Sequence, residues 1–294
     1  MSNQYKLDSL RFKFWPGKKI WKTHPDMEMV KMSNGQLRVL DTKVGKETVV
    51  IIPDGPNIIE HYFEILKDLR KRYRVIILDL YGFGFSTHDG DYDYSHSKTN
   101  DLLLELFDYL SITRPNLVFP CAGGFYGLSF AHRFPEKVKQ LILLQTPSQS
   151  EMSKWSDRIV PGYLKRPYAS QLIMPFVEKK FASKWYDYAL PKDVDRKPYK
   201  KTAVEGIKNG ACFCLCSLTQ GLATQINDNL EVDASIPTTL IYGDKDFTHK
   251  HTDFESIRAY HKKVDIIRFE NCGHFPDLER KEHFMQILED KIKA

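Results

Sequence analysis

No stretch of this 294-residue sequence reaches the roughly 18 to 20 consecutive apolar residues that a membrane-spanning helix needs, so no membrane span is expected. The N-terminal run MSNQYKLDSLRFKFW has neither an apolar core nor a small-residue cleavage site, and secretion is not expected. Cysteine is scarce and odd in number: Cys121, Cys212, Cys214, Cys216 and Cys272. That is unlike the dense, even set of a disulfide scaffold, and a reducing cytoplasm is the expected location. There is no internal repeat, Walker-type loop, zinc-finger spacing or aromatic-basic sheet signature, so nucleotide or nucleic-acid binding is not expected.

What the chain does have is apolar mass. At 42% hydrophobic and 28% charged residues, it can bury a large core, which excludes a disordered or collagen-like chain. The net charge of +5 is unevenly spread: residues 149–210 carry 13 Lys or Arg against 7 Asp or Glu, so one segment holds the whole imbalance.

Short β-branched runs (Val49 to Ile52, Val75 to Leu78, Leu117 to Phe119, Leu141 to Leu144) alternate with amphipathic stretches at 59–72 and 101–110. Buried strands of a parallel sheet joined by helices are the expected result. An Asn34-Gly35 pair between 28–32 and 36–44 predicts a tight hairpin, and hence an antiparallel start to the sheet. The rhythm returns with strands at 238–242 and 264–269 and helices near 254–262 and 281–293. Residues 148–235 therefore interrupt one domain, dividing the chain into core 1–147, insertion 148–235 and core 236–294. Five prolines (Pro161, Pro167, Pro175, Pro191, Pro198) leave room only for short helices in the insertion, which reads as a helical lid. Within it Val177, Phe181, Trp185 and Tyr188 recur at helical spacing as a packing stripe that can also roof a pocket.

The run NLVFPCAGGFYGLSFAHRFPE at 116–136 joins a buried strand to a helix through a tight turn that holds Cys121. It resembles the nucleophile elbow of the α/β-hydrolase family. DLYGFGFS at 79–86 is similar to that family's glycine turn after the fourth strand, with a structural role. IYGDKD at 241–246 resembles the loop bearing the acidic triad member, at Asp246 rather than Asp244, and NCGHFPDLER at 271–280 resembles the histidine loop, at His274. The resemblance covers nearly the whole chain outside the insertion. It implies an α/β-hydrolase fold, a mostly parallel central sheet with helices on both faces and a lid.

It also implies chemistry. Cys121 stands where the family has its nucleophile, His274 where it has the base and Asp246 where it has the residue that orients the base. At a helix N-terminus beside a histidine, Cys121 is expected to lean toward the thiolate. Ala122 and a residue of the Pro53-Asp54-Gly55-Pro56-Asn57 loop would donate to an oxyanion. The ungapped register places Gly55 there, and a shift by one would place Pro56, which has no N–H. The expected activity is hydrolysis or transfer of an acyl group from an ester, lactone or thioester through a Cys121 acyl-enzyme, with no metal or cofactor required. The substrate would be a small acyl compound; the basic insertion reads either as solvated helix faces or as a positive rim for one carried by coenzyme A or an acidic acyl carrier protein.

Two departures stand against this. The His-Gly of the family's oxyanion loop is Pro53-Asp54 here, and the small residue expected two before the nucleophile is Phe119. The competing reading is a catalytically silent ligand-binding or scaffold protein whose elbow has closed around Phe119. Cys212, Cys214 and Cys216 lack zinc-site spacing and read as packing. His249, His251 and His283 read as surface or capping residues.

Overall fold

Each buried apolar run becomes a strand because only pairing in a sheet satisfies its backbone away from water. The computed structural model describes residues 3–14, 20–223 and 230–293, so parts of the expected insertion and of both core segments lie outside the described residues. The strands are β1 (Met27–Met32), β2 (Gly35–Asp41), β3 (Thr48–Ile51), β4 (Arg74–Leu78), β5 (Phe83–Gly84), β6 (Thr87–His88), β7 (Asn116–Pro120), β8 (Gln140–Leu144), β9 (Cys212–Phe213), β10 (Thr238–Gly243) and β11 (Asp265–Phe269). The main sheet runs β1-β2-β4-β3-β7-β8-β10-β11, with β6 paired to β2. β1 and β2 form the hairpin expected at Asn34-Gly35, and β2 runs antiparallel to β4. From β4 through β11 every pairing in the main sheet is parallel.

Helices cover both faces: α1 (Tyr5–Phe14), α2 (Phe63–Leu69), α3 (His96–Tyr109), α4 (Gly124–Arg133), α5 (Gln149–Ile159), α6 (Ala169–Ala189), α7 (Lys197–Lys208), α8 (Leu215–Ala223), α9 (Pro276–Glu279) and α10 (Lys281–Lys293). Two apolar clusters result, one on each side of the sheet. None of these helices is long and apolar enough to cross a membrane. The expected helix near 254–262 is a 3-10 segment, Phe254–Ala259, capped by Asp253.

Between β8 and β10 the chain is mainly helical, α5 to α8. The helices are not all short, as the prolines had suggested: α6 runs for 21 residues through Pro175. Pro175 lies in the second turn and removes the bond to the carbonyl of Gln171. The buried face of Met174, Ala182, Trp185, Tyr186 and Ala189 outweighs that loss. Of the expected stripe, Trp185 is buried and Val177 and Phe181 pack partly buried against the core, whereas Tyr188 is exposed. β9 pairs with β5, which ties this region to the glycine turn of the core. α1, for which the sequence shows no periodic signal, anchors it too: Arg11 pairs with Glu178 at 2.6 Å, and Ser217 donates to Asp8 at 2.5 Å.

The glycine turn has the structural role expected of it. Gly82 and Gly84 adopt φ of +80° and +53°, and a Cβ on Gly84 would lie 1.9 Å from the Asp79 carboxylate. Asp79 and Glu60 both pair with Arg38, which is fully buried.

Candidate active site

β7 ends at Pro120, a 3-10 turn spans Cys121–Gly123, and α4 begins at Gly124. Cys121 takes φ of +46°, a left-handed conformation that costs a non-glycine residue on the order of 1–3 kcal/mol and that its neighbours must hold. Thr146 does part of that, donating from Oγ1 to the Cys121 carbonyl at 3.0 Å. The following helix approaches closely because its first residues are small: a Cβ on Gly124 would lie 2.2 Å from Thr146 Oγ1, and one on Gly123 2.7 Å from Ile52. Phe119 is fully buried, yet the crowding expected of it is relieved further along α4. A Cβ at Gly127 would come within 3.0 Å of the Phe119 ring, so the glycine supplies the space.

His274 follows β11 in a loop gripped by Glu279, whose carboxylate accepts from the backbone N–H of Gly273 and of Phe275 at 2.8 and 2.9 Å. Its Nδ1 meets Asp246 Oδ2 at 2.5 Å, and both side chains are wholly buried. Asp246 is thus the histidine's carboxylate, whereas Asp244 pairs with Arg268 at the surface. Gln145 donates to Asp246 Oδ2 at 2.8 Å, while Thr248 donates to Oδ1 through both its amide and its hydroxyl. Burial opposes the Asp246 charge, but the His274 imidazolium and the Thr248 hydroxyl hold its pKa below the usual value.

The opposite ring nitrogen brings the main surprise. His274 Nε2 lies 2.7 Å from Asp54 Oδ2, close enough for an ion pair but without the N–H···O alignment of a hydrogen bond. Asp54 occupies the place of the family glycine in the oxyanion loop. Burial alone would lower the His274 pKa, but the two flanking carboxylates drive it well above the ordinary value.

Cys121 Sγ, an imidazole nitrogen of His249 and one of His274 lie within 4.8 Å of one another. The expected thiolate does not follow. Burial pushes the Cys121 thiol up to about 11, the Asp54 carboxylate adds to the rise, and His274 and the Ala122 amide oppose it only in part. Desolvation and a neighbouring anion outweigh the helix terminus. His249 is buried, not a surface residue, with its ring 5.1 Å from Trp155 and 5.3 Å from His274. Burial depresses its pKa to about 3, so it is neutral. His251 and His283 are exposed, as expected.

Gly55, Ala122, Cys121, Asp54 and His274 line one cavity of about 100 Å³. The rest of its wall is largely apolar: Phe83, Phe125, Met152, Trp155, Trp185 and Leu218 among others. Neither the Trp155 nor the Trp185 indole N–H has a hydrogen-bond partner. The site therefore assembles all five residues expected from the sequence. It adds three that no sequence pattern singled out, Asp54, Gln145 and His249. For Asp54 the only available signal was its place in a loop where a glycine was expected.

This parallel sheet, with its strand-turn-helix at Cys121 and its acidic and histidine loops at the same sheet edge, belongs to a known class. Residues 47–281 match the model of the alpha/beta hydrolase fold family, and the chain belongs to that family. It is 23% identical to the 2-hydroxy-6-oxo-2,4-heptadienoate hydrolase of Pseudomonas putida (strain F1) over 86% of this chain and 91% of that protein. It is 25% identical to Lipase 3 of Moraxella sp. (strain TA144), over 81% and 75% of the two chains. Among solved structures it is similar to epoxide hydrolase A from Mycobacterium thermoresistibile, with a TM-score of 0.75 and 13% identity over 92% of this chain and 99% of that one.

Proposed function

We propose that this protein is a hydrolase or acyltransferase that cleaves a small ester, lactone or thioester through a Cys121 acyl-enzyme. The observation that carries the reading is the position of Cys121. Its strained turn holds the sulfur near His274, whose far nitrogen is held by Asp246, at the wall of an apolar cavity. The relatives named as hydrolase and lipase support the broad class.

At rest the thiol keeps its proton, and the His274–Asp54 ion pair carries its proton on the imidazole. For attack, the thiol proton moves to that pair, which has room for a second, and the thiolate sulfur forms a C–S bond to the substrate carbonyl carbon. The Gly55 and Ala122 amides would donate to the resulting oxyanion. Collapse breaks the bond to the leaving group, which takes the proton from the pair. Water or another acceptor then loses its proton to the same pair and attacks the thioester, and the sulfur departs. The indole N–H groups of Trp155 and Trp185 favour a substrate with a hydrogen-bond acceptor inside an otherwise apolar body.

The cavity suits a short acyl group. A carrier such as coenzyme A or an acidic carrier protein would remain outside, near the exposed Lys179, Lys180, Lys184 and Lys201. Lys200 contributes less because it pairs with Asp187.

Incubation with short-chain acyl thioesters, free and coenzyme A-linked, followed by intact-mass measurement, tests the reading. An acyl adduct on Cys121, absent from Cys121→Ala, is the expected result. Failure to acylate or turn over any activated ester would instead favour a ligand-binding protein on this scaffold.

A further inference from the structure

We propose that Cys121, His249 and His274, with Asp54 beside His274, form a binding site for a zinc-class divalent cation, which occupies the cavity in place of substrate. The donor set is the first ground. A thiol sulfur and two imidazoles gather within 4.8 Å of one another, and Asp54 Oδ2 lies 2.7 Å from His274 Nε2. Thiolate, imidazole and carboxylate are the ligands that zinc takes in four-coordinate sites.

The second ground is that these atoms make no hydrogen bonds, and that His274 Nε2 and Asp54 Oδ2 face only each other. His249 Nε2, His274 Nε2 and Asp54 Oδ2 are all buried without a hydrogen-bond partner. His249 and His274 as whole residues are 3% and 1% exposed. Buried nitrogens and oxygens are rarely left unpaired, and one cation would satisfy all three.

The far side of each ring is already anchored as metal-binding histidines require. His274 Nδ1 is held by Asp246, giving a carboxylate–histidine arrangement, and His249 Nδ1 lies 3.0 Å from Thr252 Oγ1. The ring centroids of His249 and His274 are 5.3 Å apart and their planes differ by 26°. Two imidazoles sharing one tetrahedral ion through bonds of 2.0–2.1 Å hold their centroids about 5 Å apart, so the rings are already at that spacing. Ligand atoms around such an ion lie about 3.3 to 3.6 Å from one another, so the three atoms now within 4.8 Å would have to close by up to about 1.5 Å.

Binding would replace the thiol proton of Cys121 and the Nε2 proton of His274, both released to solvent. The metal-bound sulfur could not attack a carbonyl, so metal and acyl group exclude each other. The site itself does not depend on the hydrolase reading.

The test uses full-length protein stripped with a chelator and then titrated with cobalt(II) as a spectroscopic probe. The expected result is one equivalent bound, with a thiolate-to-cobalt charge-transfer band that is absent in Cys121→Ser. Binding should be at least tenfold weaker in both His249→Phe, which keeps an aromatic ring against Trp155, and His249→Gln. Zinc(II) should displace the cobalt and stop iodoacetamide labelling of Cys121. Folded wild-type protein without the band, a band that survives in Cys121→Ser, or both His249 variants binding as wild type would overturn the site. An acyl adduct in chelator-treated buffer without cobalt binding would remove this inference alone. Cobalt binding without any adduct would remove the hydrolase reading alone.

Discussion

At the scale of single residues, the decisive quantity is the charge on one sulfur. A thiol with a pKa of about 11 carries its negative form in about one molecule in ten thousand at pH 7. In chelator-treated protein, Cys121 alkylation should therefore rise about tenfold per pH unit from pH 7 to 10, with no plateau near 8. The sign follows from the thiolate being the reactive form: a raised pKa moves reactivity to higher pH. Asp54→Asn removes the anion that adds to the rise, and should speed alkylation at pH 8 several-fold. Rates read by intact mass at a series of pH values check both, and a wild-type plateau below pH 8 would contradict the burial argument. Asp54 also shows where legibility ended. Its loop could be aligned, but nothing in a carboxylate's neighbours along the chain says that a histidine 220 positions later will lie against it.

Secondary-structure elements explain how an unorthodox elbow can be built at all. The expected conflict was between Phe119 and the start of the following helix. The structure resolves it by placing glycine at 127, one turn into α4, under the aromatic ring. Gly127→Ala would drive a methyl to within 2.9 Å of Leu141 and 3.0 Å of Phe119. Overpacking should cost about 1–3 kcal/mol, reduced by alanine's better helix propensity of about 1 kcal/mol. Adding Phe119→Leu should recover part of the loss, because the two changes share one space and are not additive. Urea unfolding of the single and double variants measures this. A Gly127→Ala protein more stable than wild type would mean that the helix is not held as closely as described. The strand and helix pattern itself was largely readable, because alternating burial imposes its period on sequence. The course of α6 through Pro175 was not, since the packing that overrides a proline comes from elsewhere in the fold.

For the molecule as a whole, one buried cation joins the parts. Arg38 on β2 pairs with Asp79 beyond β4 and with Glu60 before α2, and its side chain is entirely enclosed. Burial raises the Asp79 pKa to about 6 even though Arg38 lowers it. Arg38→Met should cost about 3–5 kcal/mol at pH 7, because it leaves two carboxylates without their partner. The pH dependence has a definite sign. A carboxyl whose folded pKa lies above its unfolded value adds stability that is complete below the unfolded value near 3.8 and is lost as pH rises through the folded one. Without Arg38 that folded pKa climbs further, so the deficit against wild type should be largest above pH 6 and shrink toward pH 4. Paired denaturation curves across that range test it, and a deficit independent of pH would mean that Asp79 is not the group left exposed to the loss.

The sequence by itself determined the class of fold, the order of strands and helices, and the loops that bear Cys121, Asp246 and His274, because each is encoded locally in periodicity, turn residues and short motifs. Only the tertiary structure decided the state of the site: a protonated thiol, a histidine between two carboxylates, and a neutral second histidine beside them. Those depend on burial and on charges brought together from distant loops, and neither desolvation nor long-range proximity is written in the spacing of residues along a chain.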